Sequence, residues 1–254
     1  MNSDDRRHNG KATWMEILTV VAVLVVLAWM AMPVFPVVKG RGEQAAALNT
    51  MRQLGGALAT YIAQNDGMFP AEGAMGGDTW ANAAKPENQK VWYNALPKIL
   101  GYRGVGEYAN NAREFYTKKN ILFLPGASYP KGDTRLTAPL FAIAINTKLF
   151  GENHETKEKV SPKLSEISSV SRTVAFLEQG LPQEKKATPV QPTYDGSCKG
   201  SAKSFVARYE GKGALAFVDG HAEMVEVNDV LTENSHLPPS SIVWTNTPEE
   251  DPNK

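Results

Sequence analysis

The sequence predicts an α+β fold: one long N-terminal helix, transmembrane in its first half and amphipathic in its second, packed on an antiparallel β-sheet. Three observations carry this. An almost uninterrupted apolar run fills residues 12–38, with no charge from Ile17 to Val38. The next stretch, 39–66, places apolar residues at helical steps. The C-terminal part alternates short apolar runs with Gly-containing turns.

In chain order, residues 1–11 are a polar, charged leader. Residues 12–38 are long enough to cross a bilayer core of roughly 30 Å at about 1.5 Å per residue. The run exceeds the roughly 7–15 residues of a signal-peptide core, and no small-x-small site closes it, so a retained single span is expected. Pro33 and Pro36 fall in its last third, where a membrane helix tolerates a kink. Arg6, Arg7 and Lys11 precede the span and Lys39 and Arg41 follow it, so charge alone does not orient it. Glu16 sits at its start, where a carboxylate needs a partner.

Residues 39–66 continue as a helix with one apolar stripe: Leu48, Met51, Leu54, Leu58, Tyr61 and Ile62. Asn65-Asp66-Gly67 is a stop signal, with Gly67 suited to a left-handed cap. A globular domain follows over 67–245. Within it, 89–101 reads as a short helix interrupted by Pro97. Residues 120–124, 140–146 and 173–178 read as strands, and 161–169 as a loop and short helix. The Pro-, Gly- and Lys-rich stretch 180–203 reads as a surface loop. Residues 204–209, 214–218 and 221–227 form an expected three-stranded meander, its second turn at Asp219-Gly220. Residues 246–254 form a loose polar tail.

Composition narrows the function. The 27 basic and 27 acidic residues cancel, which argues against a nucleic-acid partner. The one cysteine, Cys198, permits no intrachain disulfide. Gly196-Ser197-Cys198-Lys199-Gly200 has the spacing of a nucleophile elbow, but that motif needs a strand before it and a helix after it, and it lies here in the 180–203 loop. No convincing nucleophile–base pair exists, so an enzyme is not expected. Asp219, His221 and Glu223 are the candidate metal ligands, because residues two apart on a strand share a face. A solvated hairpin face is the stronger reading of that trio.

With these elements placed, the chain resembles the type IV pilin and type II secretion pseudopilin superfamily, in the branch with a His, nine residues, then Asp-Gly. The resemblance rests on Thr13-Trp14-Met15-Glu16 with Pro33 at the family's spacing, and on Asn49-Thr50-Met51-Arg52-Gln53-Leu54 through Met68-Phe69-Pro70. It rests also on Trp92-Tyr93-Asn94-Ala95-Leu96, and on Arg208-Tyr209 with Phe217-Val218-Asp219-Gly220-His221. The sequence departs from the pattern in three places. Lys11 aligns with the family's glycine before the scissile bond, Ala12 replaces the usual Phe, and Gly10 lies one residue early. Tyr209 takes the family's His position, and Leu124 stands where many relatives have Cys.

The resemblance implies a structural subunit of a type IV pilus or type II secretion fibre. It implies a single-pass protein of the bacterial inner membrane, with a cytoplasmic N-terminus and a periplasmic or fibre-exposed domain. The partners implied are the inner membrane, copies of itself and other pilin-like subunits, and prepilin peptidase with the assembly machinery. Gly10, Lys11 and Ala12 are the processing residues, with cleavage after Gly10, after Lys11 or not at all left open. Glu16 and Pro33 are the assembly residues. In the family, the carboxylate at Glu16 pairs with the N-terminal amine of the neighbouring subunit. No cofactor is expected; some relatives bind calcium through a loop without a counterpart here. The alternatives are an unprocessed, permanently anchored binding or scaffold protein and, third, a tethered enzyme.

Overall fold

The computed structural model describes residues 14–31, 34–132, 134–153, 155, 159–230 and 241–246. The chain divides into two compact units, residues 1–42 and 43–254, and each is taken by itself.

In the first unit, α1 (Trp14–Ala31) is a helix of 18 residues. Its polar members are Glu16 and Thr19, and the Thr19 hydroxyl donates to the Met15 carbonyl at 2.7 Å, so it leaves no unpaired donor. The next helix, α2, spans Val34–Gln64. The expected continuous helix over 12–66 is therefore two elements among the described residues.

The transmembrane expectation is corrected at the same point. Among the described residues no helix is long and apolar enough to cross a membrane. At 1.5 Å per residue α1 rises about 27 Å, short of a core of roughly 30 Å, and it carries Glu16 in its first turn. The apolar opening of α2 runs only to Val38 before Lys39, Arg41 and Glu43. The single-pass span over 12–38 and the inner-membrane location inferred from it are not upheld.

In the second unit, the part of α2 after Gly42 keeps the expected stripe. Ala47, Met51, Leu54, Ala57, Leu58 and Ile62 are buried, and Leu48 and Tyr61 pack at its edge. The helix ends as its sequence predicts: Gly67, at φ +79°, donates its N–H to the Ile62 carbonyl at 3.0 Å. Four short elements follow, α3 (Trp80–Ala83), α4 (Trp92–Ile99), α5 (Ala112–Phe115) and α6 (Thr134–Thr137). The expected helix at 89–101 is α4, which keeps Pro97 inside it and buries Trp92 and Leu96. Trp92 stands 5.3 Å from the ring of Phe176 and 5.9 Å from that of Phe141, which ties α4 to the sheet.

The strands are β1 (Ile143–Asn146), β2 (Gly151–Glu152), β3 (Lys159–Val160), β4 (Val174–Glu178), β5 (Lys199–Gly200), β6 (Lys212–Phe217) and β7 (Ala222–Glu226). A last short helix, α7, spans Val227–Val230. The main sheet runs β5-β1-β4-β6-β7, and β2 and β3 form a separate pair. The main sheet is mixed rather than antiparallel, because β5 pairs β1 in parallel while every other pairing is antiparallel. Strand β1 would otherwise end the sheet; Ile145 donates to the Cys198 carbonyl at 3.0 Å and so closes that edge.

Three local expectations also change. Residues 120–124 form a turn, not a strand: buried Asn120 donates to the Phe115 carbonyl and accepts from the Leu122 N–H, which closes the backbone on itself. The stretch 180–203 is not a surface loop, since Leu181, Glu184, Ala187, Tyr194, Cys198 and Ala202 are buried. Residues 204–209 make isolated bridges instead of a strand, so the three-stranded meander reduces to the β6–β7 hairpin with β4 on the far side of β6.

Candidate functional site

On the first unit the notable surface is α1 itself. Its large apolar side chains are exposed on every side: Trp14 is 83% exposed, and Ile17, the most covered of them, 49%. Glu16 lies in its exposed first turn. Of the other N-terminal candidates, Gly10, Lys11, Ala12 and Pro33 lie outside the described residues.

On the second unit, the Asp219-Gly220 turn is where two distant sequence motifs meet. Gly220 has φ +93°, and its backbone packs on Gly55 of α2: a Cβ at Gly55 would stand 2.7 Å from the Gly220 carbonyl oxygen. His221 accompanies the turn, its ring stacked on Phe217 at 4.3 Å and its Nδ1 2.6 Å from Asp219 Oδ1. Glu223 points outward on β7. Among the described residues no three His, Cys, Asp or Glu side chains are grouped to hold a metal ion; within the trio Asp219 and His221 form a hydrogen-bonded pair, and Glu223 is exposed on β7.

Behind the sheet lies a buried charge cluster that sequence reasoning missed. Arg208 Nη1 donates to Glu178 Oε2 at 2.8 Å, Nη2 to Glu184 Oε2 at 2.6 Å, and Nε to Glu184 Oε1 at 3.0 Å. Nη2 also reaches the Gln179 carbonyl at 2.6 Å. The Ala214 N–H donates to Glu178, and the Ser128 and Leu181 N–H groups to Glu184. All three side chains are at most 1% exposed. Burial pushes the Glu178 carboxyl above its ordinary value despite Arg208. Burial opposes ionisation of Glu184 too, but there the Arg208 hydrogen bonds and charge win and hold the carboxyl below its ordinary value. One guanidinium thus serves two carboxylates, and Glu178 is the one that carries the strain. The cluster explains why 180–203 is not a loose loop: Glu184 pins it to the end of β4 and to the chain entering β6. Nearby Tyr194 is pushed up to about 12 by burial.

Cys198 is the other buried group of note. Its thiol donates to Asp78 Oδ2 at 3.2 Å, and Tyr93 donates to Asp78 Oδ1 at 2.9 Å. Burial, then the Asp78 charge, push the thiol well above its ordinary value, so it is held protonated. Strand β5 begins after it and only a three-residue turn, Ala202–Ser204, follows. The elbow spacing is therefore coincidental, and Cys198 is a packed core thiol.

No family model, curated protein or solved structure matches the chain.

Beside Cys198 opens a cleft of about 800 Å³ that the sequence did not advertise. It lies between the end of α2, residues 68–76, Lys90, β3 and Lys199. The signal in the sequence was slight: four separated chain segments contribute its charges, and only the fold brings them together.

Proposed function

We propose that the chain is a pilin-like structural subunit that assembles with copies of itself through α1. The observation that supports this best is the form of α1, apolar on all sides, with its large apolar side chains exposed among the described residues. A helix of that kind is stable only when other apolar surface encloses it. A bundle of α1 helices from several copies supplies such surface without any further partner. The second unit is then displayed outside the bundle. The motif resemblance to pilins and pseudopilins supports the same reading.

Within such a bundle Glu16 sets the register. A carboxylate drawn into an apolar contact demands a cationic partner, and a neighbouring copy's N-terminus, as in the family, is the partner proposed. The test uses the full chain in sedimentation velocity and negative-stain electron microscopy. The expected result is concentration-dependent association that Leu24→Asp abolishes, with Glu16→Gln giving oligomers of irregular length. A wild-type chain that stays monomeric throughout overturns the proposal. Regular assembly by Glu16→Gln overturns the register role alone.

A further inference from the structure

The cleft beside α2 is independent of α1 and is built from charges of both signs. At its back, Glu72 is 3% exposed, and the Thr147 hydroxyl donates to its Oε1. The other charged residues that line the cleft are Asp66, after the end of α2, Lys90, from the turn before α4, Lys159 of β3 and Lys199 of β5. Among the described residues no ion pair joins Glu72 to any of these ammonium groups; Lys159 reaches Glu152 instead, at 4.0 Å. Apolar surface is added by Met75 (55% exposed) and Val160 (47% exposed).

The walls are fixed by backbone pairing. The Ala71 N–H donates to the Lys90 carbonyl and the Trp92 N–H to the Ala71 carbonyl, each at 3.0 Å. The Phe69 N–H donates to the Pro162 carbonyl at 3.0 Å, and the Ser161 hydroxyl to the Pro70 carbonyl at 3.3 Å. The cleft is thus a preformed hollow of drug-ligand size, in the range of roughly 300–1,000 Å³. A buried carboxylate that takes a hydroxyl donor and, among the described residues, no ion pair favours a cation beside it, and three exposed lysines favour an anion.

We propose that this cleft binds a short peptide with free termini. The peptide's ammonium group lies against Glu72 and its carboxylate among Lys90, Lys159 and Lys199. An apolar side chain rests on Met75 and Val160. A single amino acid would leave most of the cleft unfilled, and a simple anion would leave Glu72 without its cation. This gives the second unit a recognition role beyond that of a displayed structural domain.

The test is isothermal titration of the full chain with the tripeptide Ala-Leu-Ala, beside its N-acetylated and its C-amidated forms. Saturable 1:1 binding is expected for the free peptide, with each blocked form weaker by about 10-fold or more, as loss of a charge-assisted contact implies. Glu72→Gln should remove the preference against the N-acetyl form, and Lys199→Ala the preference against the amide. Absence of saturable binding overturns the proposal, as does equal affinity for the blocked and free peptides. Equal binding of sodium acetate overturns it too, because that would mark a plain anion site. The peptide series on the unaltered chain decides the matter even if Glu72→Gln folds poorly. None of these outcomes depends on whether α1 assembles.

Discussion

Two helices of this chain are rich in apolar residues and stand in opposite situations. Along α2 after Gly42, buried Ala47, Met51, Leu54, Ala57, Leu58 and Ile62 recur at three- and four-residue steps and face a core. Along α1, apolar residues fill almost every position and the large ones are exposed all round. A stripe identifies the face that the rest of the same fold covers. An all-round apolar surface identifies no face. The difference separates stability, which resides in the second unit, from assembly, which we assign to α1.

The sharpest way to break that division is to attack the second unit where its charges are buried. Arg208→Ala leaves Glu178 and Glu184 without their guanidinium, and removal of one partner of a buried pair typically costs about 3–5 kcal/mol. Urea unfolding followed by circular dichroism measures it. A loss within about 0.5 kcal/mol, the range of an ordinary surface substitution, would show that the cluster does not hold the 180–203 segment. The pH dependence separates the two acids. Glu178, raised above 4.5, contributes stability that is present at low pH and lost as pH rises through its folded value. Glu184, lowered below 4.5, contributes stability present above that value and lost as pH falls through its folded value. As pH rises from 4.5 through the folded value of Glu178, Glu178→Gln should therefore gain on the wild type, whereas over the same range Glu184→Gln should show a constant deficit.

A smaller effect is expected where α2 meets the hairpin turn. A Cβ at Gly55 would lie 2.7 Å from the Gly220 carbonyl oxygen and 2.9 Å from its Cα, both backbone atoms that a rotamer change cannot move. Gly55→Ala should cost about 1–3 kcal/mol by overpacking, despite the gain in helix propensity. Gly56→Ala next to it meets nothing within 4 Å and should stabilise the helix slightly. The pair, measured by thermal unfolding, tests whether α2 is seated by this contact; equal effects would deny it.

How much of this the sequence revealed follows from the range of each interaction. The stripe of α2, its stop at Asn65-Asp66-Gly67, the helix at Trp92 and the strands at Ile143 and Val174 are local patterns, and each was legible. The Asp219-Gly220 turn was legible as a turn, but its packing on Gly55 was not, because two glycines 165 positions apart carry no mutual signal. Residues 204–209 alternate like a strand, yet Arg208 turns inward to two glutamates that lie 24 and 30 positions earlier. The N-terminal span is overstated by the sequence because an apolar run reports composition and not the length of the helix it forms, and the mixed sheet is hidden because two-residue β5 is too short to leave a pattern. The cleft was invisible for the same reason as the charge cluster: its lysines and Glu72 are ordinary surface-type residues until the fold assembles them.

The smallest expected effect on stability, and the one that most sharpens the comparison, is in α1. Leu24 is 58% exposed. Leu54→Ala, which empties a fully buried site in α2, should cost about 2–5 kcal/mol. Leu24→Gln removes comparable apolar surface but vacates no core, so unfolding of the second unit should shift by no more than about 0.5 kcal/mol. Hydrogen exchange at the β4 and β6 amides measures that unit alone, undisturbed by association. If those amides lost protection in Leu24→Gln, α1 would be part of the fold's own support and its exposed surface would need no second copy. If protection held, the substitution's whole effect would fall on association, and the two apolar helices would be assigned to two different tasks.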